Sequence, residues 1–167
     1  MSMVRRNYVI AASIWLILIL AVFLIAFAMA INIIVSKKQS KEIIVNGDKA
    51  VVSIGNTQLV VRIADTPAKQ NKGLGGQTNL GANEGILFVF TKSDYYSFWM
   101  KDMLFPIDII WIGENGQVMG VTEHVKPDSF PRTYQPPTAA RYVLEVQDGW
   151  AQRYKIKVGD LVTIKEN

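Results

Sequence analysis

Residues 98–112, FWMKDMLFPIDIIWI, constrain the fold of this chain more than any other stretch. Large apolar side chains dominate the stretch, yet it carries three charged residues, Lys101, Asp102 and Asp108. Such charges must be solvated, paired or functional, because an unpaired buried charge costs much free energy. Pro106 has no backbone N–H to give to a central strand, so we predict two short strands with a break between them.

The N-terminal residues 8–35 include no charged side chain. As a helix they would measure about 42 Å, against about 30 Å for the hydrocarbon core of a bilayer. We predict a single-pass, uncleaved membrane anchor, with a basic tail before it (residues 1–7), a linker after it (residues 36–42) and then a β-rich domain (residues 43–167). A cleaved signal peptide is the alternative, because Ala28-Met29-Ala30 has the form of a cleavage site.

The net charge of +4 is confined to the N-terminal part of the chain. Residues 1–42 hold five basic residues and one acidic residue, whereas residues 43–167 hold thirteen of each. Cations beside an apolar span favour contact with anionic headgroups, so we predict the lipid bilayer as a partner. The balanced domain lacks the usual reason to predict nucleic-acid binding. The count of Lys and Arg on the two sides of the span slightly favours a cytoplasmic domain, but a short basic tail commonly stays inside the cell, so we predict an extracytoplasmic domain.

Short apolar runs separated by turn dipeptides dominate residues 43–167. Gly55-Asn56 and Asn115-Gly116 predict hairpin connections. Thr66 or Asp65 can cap a short helix with Pro67 at its first position, and glycines from Gly73 onward would end it. We predict eight or nine strands and two short helices, neither long enough to cross over between parallel strands. The predicted fold class is mainly β, an antiparallel sandwich or closed barrel.

Two further details concern the C-terminal half. Residues 126–138 contain four prolines and predict an extended surface loop. Asp148 precedes a short predicted helix over residues 149–154, and aspartate is a favoured N-cap residue.

Several motifs occur in a specific order, among them FWMK at residues 98–101, PIDI at 106–109 and YVLEV at 142–146. Over residues 57–163 the chain resembles the uncharacterised family called domain of unknown function 192. The resemblance implies a small sandwich or jelly-roll domain, often behind a signal peptide or membrane anchor. It implies no established reaction, substrate or cofactor.

The chain departs from that family's pattern in two places. The family usually has Leu-Met and a basic residue after the helix, where this chain has Gly75-Gly76-Gln77 following a leucine. It often has Asn-Thr after the FWMK lysine, where this chain has Asp102-Met103. If these positions belong to a ligand site, this chain has lost or retuned it.

The charged residues most embedded in apolar strands are Lys101, Asp108 and Glu145. An ammonium near carboxylates could bind a polar ligand, and two carboxylates could share general acid and base roles. A structural role is favoured, because buried ion pairs and hydrogen bonds to turns also satisfy such charges. The other candidates for a polar ligand site are Gln77, Trp99 and Tyr134.

His124 is the only histidine, and with Glu123 and Asp128 nearby it could begin a metal site. Transition-metal sites usually recruit several histidines or cysteines, and the chain has no cysteine. We therefore predict no metal site, and no motif indicates a cofactor. The glycines of residues 73–76 follow a helix and lack the Gly-Lys-Ser/Thr ending of a phosphate loop.

These observations favour a membrane-anchored binding or interaction module, with an envelope polymer, a peptide or another membrane protein as its partner. The alternative is a hydrolase-type enzyme that uses Asp108 and Glu145 with Lys101. That alternative requires the three side chains to converge in one solvent-reachable pocket.

Overall fold

The computed structural model describes residues 19–29 and 47–166. Residues 19–29 are helical (α1), and the remainder of the predicted span 8–35 lies outside the described residues. Within the described ranges, no helix is long and apolar enough to cross a membrane. The chain divides into two compact units, Met1–Lys41 and Glu42–Asn167, and the second contains the β-rich domain.

Nine strands and two short α-helices make up the described part of the second unit, together with one 3-10 helix. In chain order the elements are β1 (Lys49–Ile54), β2 (Thr57–Ala64), α2 (Pro67–Lys72), β3 (Glu84–Asp94), β4 (Phe98–Trp99), β5 (Ile107–Ile112), β6 (Val118–Val125), the 3-10 helix (Pro127–Ser129), β7 (Thr133–Tyr134), β8 (Ala140–Gln147), α3 (Trp150–Arg153) and β9 (Val162–Glu166). The prediction of a mainly β domain with two short helices is confirmed. The loop predicted for residues 126–138 instead contains the 3-10 helix and β7.

Seven strands form one sheet in the order β6-β5-β8-β3-β2-β1-β9, and β4 pairs with β7 separately. The two edges of the large sheet meet at one end, where Gln117 and Leu161 form an antiparallel bridge. The Val118 N–H also donates to the Asp160 carbonyl at 2.9 Å. The sheet is therefore curled into a half-barrel, which is closer to the predicted barrel than to a sandwich or jelly roll.

One strand pair is parallel, because β2 and β3 run side by side with Val61 opposite Gly85. The other pairs in the large sheet are antiparallel. The helices are short and the sheet is mainly antiparallel, as predicted, but the expectation that short helices exclude a parallel pair was wrong. Residues 65–83 make the crossover with α2 and a long irregular segment, and a parallel connection needs a dozen or more residues rather than a long helix.

Hydrophobic clusters cover both faces of the sheet. One cluster takes residues from all seven strands and fills the inside of the half-barrel. The other, the outer core cluster, contains Leu74, Phe88, Phe98 and Trp111 and lies on the opposite face. Strand β5 is buried along its whole length because it contributes to both clusters.

Local signals in the sequence are confirmed. The Thr66 hydroxyl accepts a hydrogen bond from the Lys69 N–H at 3.3 Å and caps α2, and Gly73 ends the helix at φ 48°. Gly55 and Gly116 have φ 57° and 75° in their turns, a conformation that favours glycine. The break at Pro106 separates β4 from β5, as predicted.

Candidate functional site

Asp108 is fully buried on the inner side of the half-barrel. Its Oδ1 accepts a hydrogen bond from the His124 N–H at 3.0 Å, and its Oδ2 accepts one from the Ala151 N–H at 2.9 Å. The pairing of β5 with β6 shifts register here, so Glu123 and His124 both oppose Asp108. His124 has φ 57°, and the bulge leaves its N–H outside the strand ladder. Asp108 therefore accepts hydrogen bonds both from the N–H group of a strand bulge and from an N–H group at the N-terminus of α3.

Asp148 does not cap α3, contrary to the prediction. Gly149 occupies the N-cap position and has no side chain that could accept a hydrogen bond. Asp108 on β5 accepts the hydrogen bond from the Ala151 N–H instead. Asp148 Oδ1 lies 2.8 Å from His124 Nδ1. That hydrogen bond is the main cause that raises the pKa of His124 above its usual value.

Asp108, His124 and Asp148 also form a group in which one possible metal ligand from each lies within 4.8 Å of the others. Glu123 and Asp128, the neighbours expected from the sequence, do not belong to it. Both oxygens of Asp108 already accept backbone hydrogen bonds. These structural roles account for the group.

Glu145 lies on the opposite face of the sheet from Asp108. Across the β5–β8 pair, Glu145 is opposite Ile109 and Asp108 is opposite Val146. Successive side chains of a strand point to opposite faces, so a one-residue offset separates the two carboxyl groups. The requirement that both carboxyls converge in one pocket is therefore not met.

Glu145 is only 6% exposed, and none of the described residues forms a hydrogen bond or ion pair with its side chain. Burial raises the pKa of Glu145 to about 8. Burial favours the uncharged form of a carboxyl group that has no partner. At neutral pH Glu145 is thus mainly a neutral acid that can donate a hydrogen bond.

Glu145 lines a cleft of about 200 Å³. One wall consists of the end of α2 and the loop after it, and the other consists of the segment around β4. The remaining lining residues are 70–75, Phe88, Phe90, residues 96–99, Lys101 and Met103. A second hollow of about 500 Å³, the outer hollow, shares Asn71, Trp99 and Lys101 with the first, the inner cleft. The two therefore form one continuous depression.

Hydrogen bonds hold the two walls in place. Gln70 Nε2 donates to the carbonyls of Ala64 and Val89 at 3.3 and 3.0 Å, which fixes α2 on the sheet. The Gly76 N–H donates to the Asp102 carbonyl at 2.8 Å and ties one wall to the other. Gly75-Gly76 and Asp102-Met103, which belong to the two places at which the chain departs from the family pattern, therefore lie side by side at this cleft.

Aromatic packing stiffens the second wall. The Tyr96 ring stacks on Phe90 with 3.5 Å between ring centroids. The Phe98 ring meets Phe88 edge to face at 4.8 Å. Trp99 follows Phe98 but is 55% exposed, so it presents an aromatic surface at the cleft. The cleft therefore combines an aromatic wall with polar groups from α2 and from Lys101.

The mouth of the depression is predominantly basic. Lys72 and Lys101 line both hollows, and no described residue forms an ion pair with either. Asp102 lines only the outer hollow. With Glu145 neutral, the lining carries two positive charges and one negative charge.

Three of the candidates from the sequence, Lys101, Glu145 and Trp99, meet in this cleft. Gln77 lies at a separate hollow of about 120 Å³, and no described residue forms a hydrogen bond with its buried Nε2. Tyr134 is half-buried against the outer core cluster, opposite Phe98 in the small sheet. These two residues do not line the cleft.

The sequence did not predict that residues from α2 line the cleft. Gln70, Asn71 and Lys72 read as the polar face of a short helix, and nothing in their spacing marks a site. Their position at the cleft depends on the crossover that carries α2 over the sheet.

Comparison with known proteins identifies relatives of the domain. No curated protein matches the chain. A protein of unknown function from Novosphingobium aromaticivorans is 32% identical, with a TM-score of 0.63, over 69% of this chain and 83% of that one. A candidate transcription regulator from Sinorhizobium meliloti is 25% identical, with a TM-score of 0.67, over 72% of this chain and 97% of that one. The model of the DUF192 family, described as "Uncharacterized ACR", matches residues 50–164, and the chain therefore belongs to the DUF192 family.

Proposed function

We propose that the domain is a binding module and that the cleft above Glu145 receives its ligand. The observation that supports this most is the side chain of Glu145, which is buried, unpartnered among the described residues and lines a preformed cleft. A buried polar group without a partner costs free energy. A ligand that supplies the missing hydrogen bond would recover this cost.

The volume of the cleft favours a small ligand or one end of a larger one. About 200 Å³ is below the roughly 300–1,000 Å³ typical of drug-sized sites. The outer hollow leaves room for the ligand to continue toward solvent. The exposed Trp99 can stack on its body.

Ligand-observed NMR with the full-length protein in detergent would test the proposal. The probes are a panel of fragments that includes sugars, amines, carboxylates and amides. Trp99→Ala should weaken the bound fragments, whereas Tyr95→Ala should not, because Tyr95 is equally exposed (56%) and does not line the cleft. Fragments that bind equally well to both variants, or the absence of any bound fragment, would contradict the proposal.

We also propose that residues 8–35 anchor the domain to a membrane, with the domain on the extracytoplasmic side. Residues 8–35 are uncharged, and the described part, residues 19–29, is an apolar helix with exposed side chains. The expected partners are the bilayer and an envelope polymer, a peptide or another membrane protein. Extraction at alkaline pH should leave the full chain in the membrane fraction, and release would contradict the anchor.

Trypsin treatment of intact cells tests the orientation. Arg132 is exposed in the loop between β6 and β7 and is followed by Thr133, so it offers a cleavage site. Cleavage without permeabilisation supports an extracytoplasmic domain. Cleavage only after permeabilisation would place the domain on the other side.

A hydrolase that pairs Asp108 with Glu145 is not favoured. The two carboxyls lie on opposite faces of the sheet, and Asp108 has both oxygens occupied by backbone donors. The geometry therefore favours binding over that form of catalysis.

A further inference from the structure

We propose that the ligand of the Glu145 cleft is a small organic carboxylate, held by Lys101 and Lys72 at the mouth and hydrogen-bonded by the Glu145 carboxyl at the floor. This inference rests on the proposed function of the cleft and names the chemical class of its ligand.

The charges around the cleft favour an anion. Lys72 comes from α2 and Lys101 from the turn after β4, so the two lysines belong to opposite walls of the cleft. Neither has an ion-pair partner among the described residues. Asp102 lies at the outer hollow and does not line the inner cleft. A cationic ligand would therefore meet like charges at the entrance, and an anion would meet opposite ones.

The floor of the cleft favours the same ligand. The neighbours of Glu145 on adjacent strands, Ile86 and Ile109, are apolar and buried. They provide neither a charge nor a side-chain hydrogen bond, so Glu145 remains protonated at neutral pH. A protonated carboxyl donates an O–H, and hydrogen bonds to an ionised acceptor are about twice as strong as neutral ones.

The groups that face Glu145 determine how binding depends on pH. Lys72, Lys101 and Tyr96 are the other titratable residues that line the inner cleft, and burial raises the pKa of Tyr96 above its usual value. Loss of the Glu145 proton would remove the donor and place a second negative charge against the ligand. Binding of a carboxylate should weaken as Glu145 ionises.

Three probes of nearly the same shape isolate the charge: benzoate, benzamide and benzamidine carry one negative, no and one positive charge. Their dissociation constants would be measured by NMR titration of the full-length protein in neutral detergent at pH 6.5 and 9.5. Benzoate should bind at least roughly tenfold more tightly than the other two at pH 6.5. Its affinity should fall about thirtyfold by pH 9.5, because a pKa near 8 leaves few molecules protonated.

Two variants test the assigned roles. Lys101→Met keeps the length of the side chain and should weaken benzoate roughly tenfold, whereas Lys126→Met, remote from the cleft lining, should not. Glu145→Gln keeps a neutral donor, so benzoate should still bind and its affinity should no longer change between the two pH values.

The results separate this inference from the proposed function. If benzamidine or benzamide binds more tightly than benzoate and loses affinity in Trp99→Ala, the cleft binds ligands but the carboxylate assignment is wrong. If none of the three binds and no fragment depends on Trp99, both proposals fail. Benzoate binding that is unaffected by Lys101→Met and by pH would also overturn the assignment.

Discussion

The carboxyl groups of Asp108 and Glu145 lie on opposite faces of one sheet, although the two residues stand one register position apart on neighbouring strands. Both are buried, but their surroundings differ. Asp108 accepts two backbone hydrogen bonds, whereas Glu145 has no partner among the described residues and faces a cleft. The first carboxyl supports the fold, and the second is available to a ligand.

Replacing Asp108 should destabilise the domain severely. Asp108→Ala leaves the N–H groups of His124 and Ala151 without their acceptor in a buried region. Each loss costs about 1–3 kcal/mol, so we expect the free energy of unfolding to fall by roughly 2–6 kcal/mol. Urea denaturation of the full-length protein measures this. The exposed Asp128→Ala serves as control and should change it by less than about 0.5 kcal/mol.

The single histidine should titrate above its usual pKa. The hydrogen bond to Asp148 raises the pKa of His124, and Asp148→Asn should bring it back toward about 6.5. Because the folded pKa is raised, the stabilisation is complete below about pH 6.5 and is lost as pH rises through the folded value. NMR titration of the imidazole signals reports the pKa directly. An unchanged pKa in Asp148→Asn would contradict the assignment.

The stability of the domain should fall between about pH 4.5 and pH 8 because of Glu145. Its folded pKa is raised from 4.5 to about 8, so the folded state binds a proton that the unfolded state has lost. The contribution of Glu145 to the free energy of unfolding is therefore greatest below the unfolded pKa. It declines by roughly 1.4 kcal/mol per pH unit through this window.

Glu145→Gln should remove that contribution, because glutamine resembles the neutral acid. Denaturation curves at several pH values would compare the variant with the wild-type protein and with Glu123→Gln, an exposed control. Parallel pH profiles for wild type and Glu145→Gln would show that Glu145 ionises freely.

The cap of α2 should contribute modestly to stability. Thr66→Ala removes the hydroxyl that accepts the Lys69 N–H, and we expect a loss of about 1 kcal/mol. Thr66→Ser keeps the acceptor and should retain most of the stability. Chemical denaturation distinguishes the two, and equal losses would mean that the hydroxyl does not act as the cap.

The candidate site was only partly predictable. The apolar setting of Lys101 and Glu145 marked both residues, and Trp99 stood beside them in the FWMK motif. Asp108 carried the same signal but serves the bulge and α3, because its strand register turns it inward. Gln70, Asn71 and Lys72 carried no signal, because the crossover alone brings them to the cleft.

The sequence by itself determined the local structure of this protein. The glycine turns, the Thr66 cap and the strand break at Pro106 depend on backbone angles and hydrogen bonds between near neighbours, which residue types specify directly. The tertiary structure decided the parallel β2–β3 pair, the residue that caps α3 and the face on which each buried carboxyl lies. These outcomes depend on which strands pair and in what register, and a shift of one residue would exchange the two faces.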